Sequence, residues 1–297
     1  MNYLLMVCSV LLAVTNSSLL HKFANKGLDN AGDLFLFNSG TQAVWSILLL
    51  LFCTFTNTLQ FDRQTIFYGV FYAALLCLFQ VFKLFAYSSG PVAVTTLVGA
   101  CAFIITTGYT VIFEGDTVTI PYLCGVAVLL IALFLCIDLR AKKTDSGMKI
   151  SPKWMLWCFL MFIAGGGMGI FYRIFGGSSV SHNMNSMMFF AAMLSSLMLA
   201  AMALITNKAT ANPRPKVCGT AVKYMLVNGV TSCIYIRLNL SLANLLPGTL
   251  FFPVSNGAIL ILSTLTGIVF FNEKPSRRQL VGILTGLAAI AFIGIVQ

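Results

Sequence analysis

The sequence predicts an all-α integral membrane protein with ten transmembrane helices, arranged as two inverted five-helix repeats. Three observations support this fold class. Charged residues are scarce, apolar runs of membrane-spanning length recur along the chain, and the second half resembles the first when the sequence is shifted by 157 positions. Together they indicate a duplicated membrane domain.

The composition excludes most other classes. Of 297 residues, 59% are hydrophobic and 9% are charged, whereas about a quarter of the residues in soluble domains are charged. The net charge of +10 does not indicate nucleic-acid binding, because Lys and Arg lie mostly in short loops between apolar runs, where they report orientation in the membrane. We therefore expect a multi-pass protein of the plasma membrane with no nucleic-acid partner.

Ten apolar runs predict the membrane helices, since about twenty apolar residues cross a bilayer as a helix. The predicted spans are residues 3–21, 33–54, 65–87, 91–113, 118–138, 153–176, 184–206, 219–245, 248–271 and 277–296. The connections between them are short, so no separate soluble domain is expected.

An internal duplication is indicated by the last fifth of the chain, residues 242–297, where two apolar runs flank a charged turn. Residues 85–140 repeat this plan. The shift of 157 positions pairs Asp116 with Glu273 and places a glycine at matching points after them. A shared acidic turn and glycine in two membrane hairpins are what an internal duplication leaves.

The basic loop at residues 140–152 divides the chain into a first half, residues 1–139, and a second half, residues 153–297. Each half has five spans. Because five is odd, two halves of similar fold lie in opposite orientations, and a solute site is expected between them near the middle of the bilayer.

The loops also predict orientation. Lys and Arg are concentrated in the loops after the first, fifth, seventh and ninth spans, while the opposite set of loops has essentially Arg63 alone. The positive-inside rule then places both termini outside.

At this point the chain resembles a known family, the EamA-type branch of the drug/metabolite transporter superfamily. The resemblance rests on the ten spans, the two five-helix halves and a short pattern: a helix ending in Phe, an acidic turn, then a Gly opening the next helix. The pattern reads FFNEKPSRRQLVG at residues 270–282 and, more weakly, FEGDTVTIPYLCG at residues 113–125. The resemblance implies a secondary active or facilitative carrier of small metabolites that works by alternating access. Ten-helix members usually have both termini in the cytoplasm, and here we follow the charges instead.

Polar residues inside the spans are the candidates for solute binding, because an unpaired polar group in the bilayer is costly. Arg237, in the run CIYIRLNLSLANL, is the cation farthest from a span end. The alternatives to solute binding are that its side chain bonds to a backbone carbonyl or extends to the membrane interface. Tyr235, two residues earlier, is either a solute contact or part of the interfacial aromatic belt. The shift of 157 places Gln80 opposite Arg237, and Lys83 follows Gln80 by one turn.

Four further residues complete the predicted binding set. Arg173 lies one turn from the end of its span, so its side chain either binds solute or extends to the membrane interface. Asn16 is either a solute contact or an interhelical hydrogen bond. Ser255 and Asn256 follow Pro253, whose missing N–H can expose backbone groups to a cavity.

The sign of the charges predicts the class of solute. All eight carboxylates fall at predicted helix ends or in loops, whereas the cations Arg237, Lys83 and Arg173 are embedded or nearly so. Exchange of lipophilic cations for protons ordinarily requires an embedded carboxylate. We therefore expect an anionic, zwitterionic or neutral polar solute. Arg237 would bind a carboxylate or phosphate of this solute through two parallel N–H···O hydrogen bonds.

Other functions are left as alternatives. The sequence has no Walker loop and no HExxH motif, and its nine cysteines are scattered, so we expect no metal, no cofactor and no enzymatic activity. A lipid-headgroup flippase and a multidrug exporter remain, and an intramembrane enzyme is less favoured, because it would need an embedded nucleophile and base. The expected partners are a small solute, membrane lipid, and H⁺ or Na⁺ as the candidate coupling ion, with the chain as a monomer or homodimer.

Overall fold

A computed structural model describes residues 2–24, 31–90, 92–136, 151–209, 219–270 and 276–296. Across these ranges the protein is helical and contains no strand. The helices are α1 (Asn2–Ala24), α2 (Ala31–Phe55), α3 (Arg63–Ser89), α4 (Val92–Ala100), α5 (Phe103–Phe113), α6 (Ile120–Cys136), α7 (Pro152–Gly176), a 3₁₀-helix (Ser181–Asn183), α8 (Met184–Ala209), α9 (Gly219–Leu245), α10 (Gly248–Phe270) and α11 (Arg277–Val296).

One of the spans expected from the sequence is divided into two helices. The span expected at residues 91–113 is split into α4 and α5 at Cys101 and Ala102. Ala102 N donates to Gly99 O at 3.2 Å, and Ile105 N donates to Ala102 O at 3.2 Å. These i to i+3 bonds tighten the backbone into a turn that interrupts the α-helix. Pro253, by contrast, lies inside the continuous helix α10.

Several helices have the length and composition of membrane spans. Among the described residues, seven stretches are long and apolar enough to cross a bilayer: Gly32–Phe55, Arg63–Ser89, Val94–Phe113, Pro152–Gly176, Ser181–Asn207, Gly248–Phe270 and Arg277–Val296. Two shorter apolar helices are Asn2–Ser18 and Ile120–Cys136. The protein is therefore all-helical and fits a multi-pass membrane protein. Residues 137–150 of the central basic loop and residues 271–275 of the charged turn after α10, which contribute to the predicted orientation, lie outside the described residues.

The chain forms two compact units. Unit 1 comprises Met1–Val10, Leu78–Arg173 and Leu242–Gln297, and unit 2 comprises Leu11–Cys77 and Ile174–Ser241. Each unit takes segments from before and after the central loop. The predicted division at residues 140–152 therefore stays a prediction about the sequence.

In unit 1, small residues bring helices close together. An added Cβ on Gly125 of α6 would lie 2.9 Å from Ile293, and one on Gly282 of α11 would lie 2.7 Å from the backbone N of Cys136. Each residue of one contact lies 157 positions from its counterpart in the other. The side chains of α6 and α11 therefore leave no room at these two points.

The glycine-rich segment of α7 makes a second close contact in unit 1. An added Cβ on Gly166 would lie 2.6 Å from the Cβ of Ile105, and Thr106 Oγ1 donates to Gly166 O at 3.1 Å. The absence of a side chain thus lets α5 approach the α7 backbone and bond to it.

In unit 2, α2 and α8 pack along their length. At their contact Ser39 Oγ donates to Ser196 O, and Ser196 Oγ donates to Ser39 O, both at 2.9 Å. Both serines are buried. In a membrane, apolar contact between two helices gains little over contact with lipid, so small side chains and interhelical hydrogen bonds hold α2 and α8 together.

We predict that Gly282→Ala lowers the melting temperature of the purified protein, because the new methyl group meets the α6 backbone. Alanine in place of glycine normally stabilises a helix interior by about 0.5–1 kcal/mol. Gly294→Ala in the same helix is the matched control, since an added Cβ there meets nothing within 4 Å. Equal melting temperatures for the two variants would contradict the close contact.

Candidate functional site

Arg237 is held by two neighbours in unit 2. Its Nε donates to Asn185 Oδ1 at 2.8 Å, and its guanidinium carbon lies 5.6 Å from the centre of the Phe52 ring. The first contact fixes one edge of the guanidinium, and the second supports its face. The side chain is exposed, and its Nη1 and Nη2 groups bond to none of the described residues. These two nitrogens are therefore open to a ligand.

The fold fixes the position of Asn185. Asn185 is the second residue of α8, and the loop before α3 binds the same turn. Gln60 N donates to Ser186 Oγ, and Ser186 Oγ donates to Thr58 O, both at 3.0 Å. Although Arg237 lies two turns inside α9, its partner stands at the start of α8. The guanidinium is therefore near one end of unit 2 and not at its centre.

Arg173 has a different environment, in unit 1. Its Nε and Nη2 donate to Glu114 Oε2, and its Nη1 donates to the backbone oxygens of Ala243 and Leu246. The side chains of Arg173 and Glu114 are 14% and 24% exposed. The donors of Arg173 are therefore used in an ion pair and in bonds to the carbonyl end of α9, where a cation is favoured.

The same cluster fixes the turn between α9 and α10. Asn244 Nδ2 donates to Tyr172 O at 3.2 Å, and Thr249 N donates to Asp116 Oδ2 at 3.0 Å. Asp116 follows Gly115, whose φ of 76° suits glycine. Arg173 and the two carboxylates of the α5–α6 turn thus join three chain segments at one end of unit 1.

Lys83 and Gln80 lie on α3 in unit 1. Lys83 Nζ is 5.9 Å from the centre of the Phe79 ring and 5.7 Å from that of Tyr87. Both polar residues are half-buried, and neither bonds to a side chain or backbone group in the described ranges. A cation with aromatic neighbours alone remains a candidate for contact with an anion.

Asn16 joins α1 to α9 in unit 2. Its Nδ2 donates to Ser232 Oγ at 3.1 Å, and its Oδ1 accepts from Thr231 Oγ1. Both ends of the amide are used between helices, so the interhelical hydrogen bond, which the sequence left as an alternative, is what the structure contains.

Ser255 and Asn256 lie on α10 in unit 1. Asn256 Nδ2 donates to Phe252 O of its own helix at 2.9 Å. Ser255 is 5% exposed, and its Oγ has no hydrogen-bond partner in the described structure. Of this pair, the serine is therefore the better candidate for a further contact.

The predicted site residues are divided between the units. Unit 1 holds Gln80, Lys83, Arg173, Ser255 and Asn256, and unit 2 holds Asn16, Tyr235 and Arg237. Tyr235 is half-buried on α9. Within the ranges that the structure covers, no hydrogen bond joins any two of the eight.

Sequence reasoning missed several polar residues of unit 2. Thr41 Oγ1, Gln42 Oε1, Trp45 Nε1 and Asn228 Oδ1 are buried and lack hydrogen-bond partners in the described residues. Buried polar groups are nearly always hydrogen-bonded, so these atoms are candidates for contact with water or solute. Gln42 and Asn228 could have been selected by the rule that selected Asn16, which is a polar side chain inside an apolar run.

Comparisons with known proteins inform the fold. No family model and no functionally described protein matches the sequence. The chain is similar to a solved structure described only as "Crystal structure of protein", with a TM-score of 0.78 over 99% of this chain and 96% of that one. The sequence identity is 14%, so the similarity concerns the fold alone.

We predict that Glu114→Gln destabilises the protein by about 1.5–3 kcal/mol, the usual range for a hydrogen bond to a charged group. Arg173→Ala should cost more, because it also removes the bonds to Ala243 and Leu246. Chemical denaturation in detergent measures both. Arg277→Ala, at an exposed arginine, is the control for loss of a positive charge. If Arg173→Ala costs no more than Arg277→Ala, the cluster does not stabilise unit 1.

Proposed function

We propose that the chain is a secondary active or facilitative transporter of a small organic metabolite, which is anionic, zwitterionic or neutral and polar. The observation that carries this proposal is the state of Arg237. It is an arginine on α9, a helix of 27 residues that is not among the seven membrane-type stretches found in the described residues. Asn185 and Phe52 support its side chain, and its outer two nitrogens have no partner among the described residues. On the proposal that α9 is one of the membrane spans, an ionisable group within it is a functional-site candidate by default.

The contacts of Arg237 favour a carboxylate or phosphate as ligand. A guanidinium binds such groups through two parallel N–H···O bonds. Here the Nε edge is occupied by Asn185, so the remaining fork is formed by Nη1 and Nη2. Because Asn185 and Phe52 already hold the side chain, less conformational freedom is lost when a ligand binds.

The distribution of negative charge favours an anion over a lipophilic cation. Glu114 is paired with Arg173, and Asp116 accepts a bond from Thr249 N. Neither carboxylate is left to exchange a cation for a proton. This weighs against the multidrug exporter. The flippase alternative shares the chemistry of the proposed site, and its ligand would be the same oxyanion carried by a lipid.

We also propose ten membrane helices in two inverted five-helix repeats, in the manner of the EamA-type drug/metabolite transporters that the sequence resembles. Ser39 and Ser196, which are 157 positions apart, bond to each other reciprocally. The close contacts at Gly125 and Gly282 are also related by this shift. A two-fold axis relating the halves would produce both pairs, because residues near such an axis meet their own counterparts. On this proposal the protein moves solute by alternating access in the plasma membrane, with H⁺ or Na⁺ as the candidate coupling ion.

We predict that a carboxylate or phosphate metabolite raises the melting temperature of the purified protein and that Arg237→Ala abolishes the effect. Ligand at about 100 times its Kd stabilises a folded protein by about 2.7 kcal/mol. The measurement is a thermal-shift screen of soluble anions, zwitterions and lipophilic cations, repeated with short-chain phosphatidylglycerol.

Matched variants sharpen this test. Asn185→Ala and Phe52→Leu should weaken binding without abolishing it, because each removes one support of the guanidinium. Arg277→Ala should leave binding unchanged. Stabilisation by lipophilic cations alone would refute the proposal, and stabilisation by the lipid alone would favour the flippase.

A further inference from the structure

Unit 2 contains a groove that the proposed site does not use. It has a volume of 540 Å³ and lies where the start of α3 meets the turn after α7. Its walls are formed by Arg63, Gln64, Phe67, Tyr68, Ser178 and Ser179. The groove therefore combines one cation, an amide, three hydroxyls and two aromatic rings.

The hydrogen-bond donors of the groove are only partly used. Arg63 forms no hydrogen bond or ion pair with any residue in the described ranges. Ser179 Oγ donates to Gln64 Oε1 at 3.2 Å, which fixes the amide and leaves its NH₂ group as a donor. The neighbouring carboxylate, Asp62, accepts from Gln64 N at 3.2 Å and so caps α3. A free guanidinium beside an oriented amide suits an oxyanion.

The groove is connected to the Arg237 site through one short segment. Asn183 Nδ2 donates to Thr65 Oγ1 at 3.3 Å, next to Gln64 in the chain. Two residues later, Asn185 accepts the bond from Arg237. The segment at the start of α8 thus supports the wall of the groove on one side and the guanidinium of the proposed site on the other.

We propose that the groove is a capture site, where a soluble carboxylate or phosphate first binds through Arg63 before it reaches Arg237. This inference rests on the proposed function. A cation at a solvent-facing groove raises the local concentration of anions and the rate of association, and it does so with little effect on the final affinity. Arg63 serves capture, and Arg237 holds the solute in the transport site.

The experiment maps the two arginines separately. The full chain is placed in phosphatidylcholine nanodiscs and treated with phenylglyoxal, which modifies guanidinium groups, and peptide mass spectrometry gives the initial labelling rates of Arg63, Arg237 and Arg277. Inorganic phosphate is the probe, and chloride at equal ionic strength is the reference. With phosphate at about nine times its Kd, labelling of Arg63 and of Arg237 should slow about tenfold, because only the free site reacts. The rate at Arg277 should not change.

The outcomes separate the two proposals. Protection of Arg237 without Arg63 overturns the capture site and leaves the proposed function standing. Protection of Arg63 alone, or of neither arginine, overturns both. Protection of Arg63 by phosphatidylglycerol nanodiscs without phosphate would make the groove a lipid site and overturn capture.

A variant tests whether the groove and the Arg237 site bind independently. In Arg63→Ala, phosphate should still protect Arg237 within about twofold of the unmodified protein, since the two sites bind separate anions. Arg277→Ala is the control with the same change of charge. A fivefold or greater loss of protection at Arg237 in Arg63→Ala, but not in Arg277→Ala, would show one shared site and contradict a separate capture step.

Discussion

The structure depends on how the guanidinium groups carried by its long helices find hydrogen-bond acceptors. Arg173 and Arg237 show two solutions. Arg173 gives its donors to Glu114 and to the carbonyl end of α9, so its charge is neutralised within the protein. Arg237 donates one bond to an amide oxygen and lies over the face of a ring, and neither partner is charged. Of the two arginines, Arg173 is therefore paired with a carboxylate of the protein, whereas Arg237 has no charged partner among the described residues. On the proposed function, this difference in partners, and not depth along a helix, separates the structural Arg173 from the solute-binding Arg237.

Close helix packing is expected of a protein whose helices are surrounded by lipid. Lipid is as apolar as a leucine side chain, so helices gain little from burying apolar surface against each other. Contact depends instead on small residues and on hydrogen bonds, as at Gly166 with Thr106 and at Ser39 with Ser196. These contacts are specific in position, because one methyl group is enough to separate the backbones. Such contacts therefore keep neighbouring helices in register.

Much of the fold could be predicted because apolar run length is a local property of the sequence. The division of α4 from α5 could not, because neither Cys101 nor Ala102 carries a turn signal. The candidate site is harder to predict, since its side chains pair with residues that are distant in the sequence. Glu114 and Arg173 are 59 positions apart, and each was read as a separate residue at a helix end. Asn185 was overlooked because it opens its helix, where an asparagine is ordinary. Arg237 could be selected from sequence because a cation within an apolar run is rare in itself.

On the proposed function, the unneutralised charge at Arg237 also constrains the transport cycle. With a carboxylate or phosphate bound, the site carries a paired charge that moves past apolar surroundings at lower cost than a bare guanidinium. The empty protein must reorient with only Asn185 and Phe52 beside the cation. Return of the empty site is then the costlier step, and exchange of one anion for another should be faster than net transport. Anion counterflow and net efflux, compared in the same proteoliposomes, measure the difference, and equal rates would show that the guanidinium is neutralised in the empty state as well.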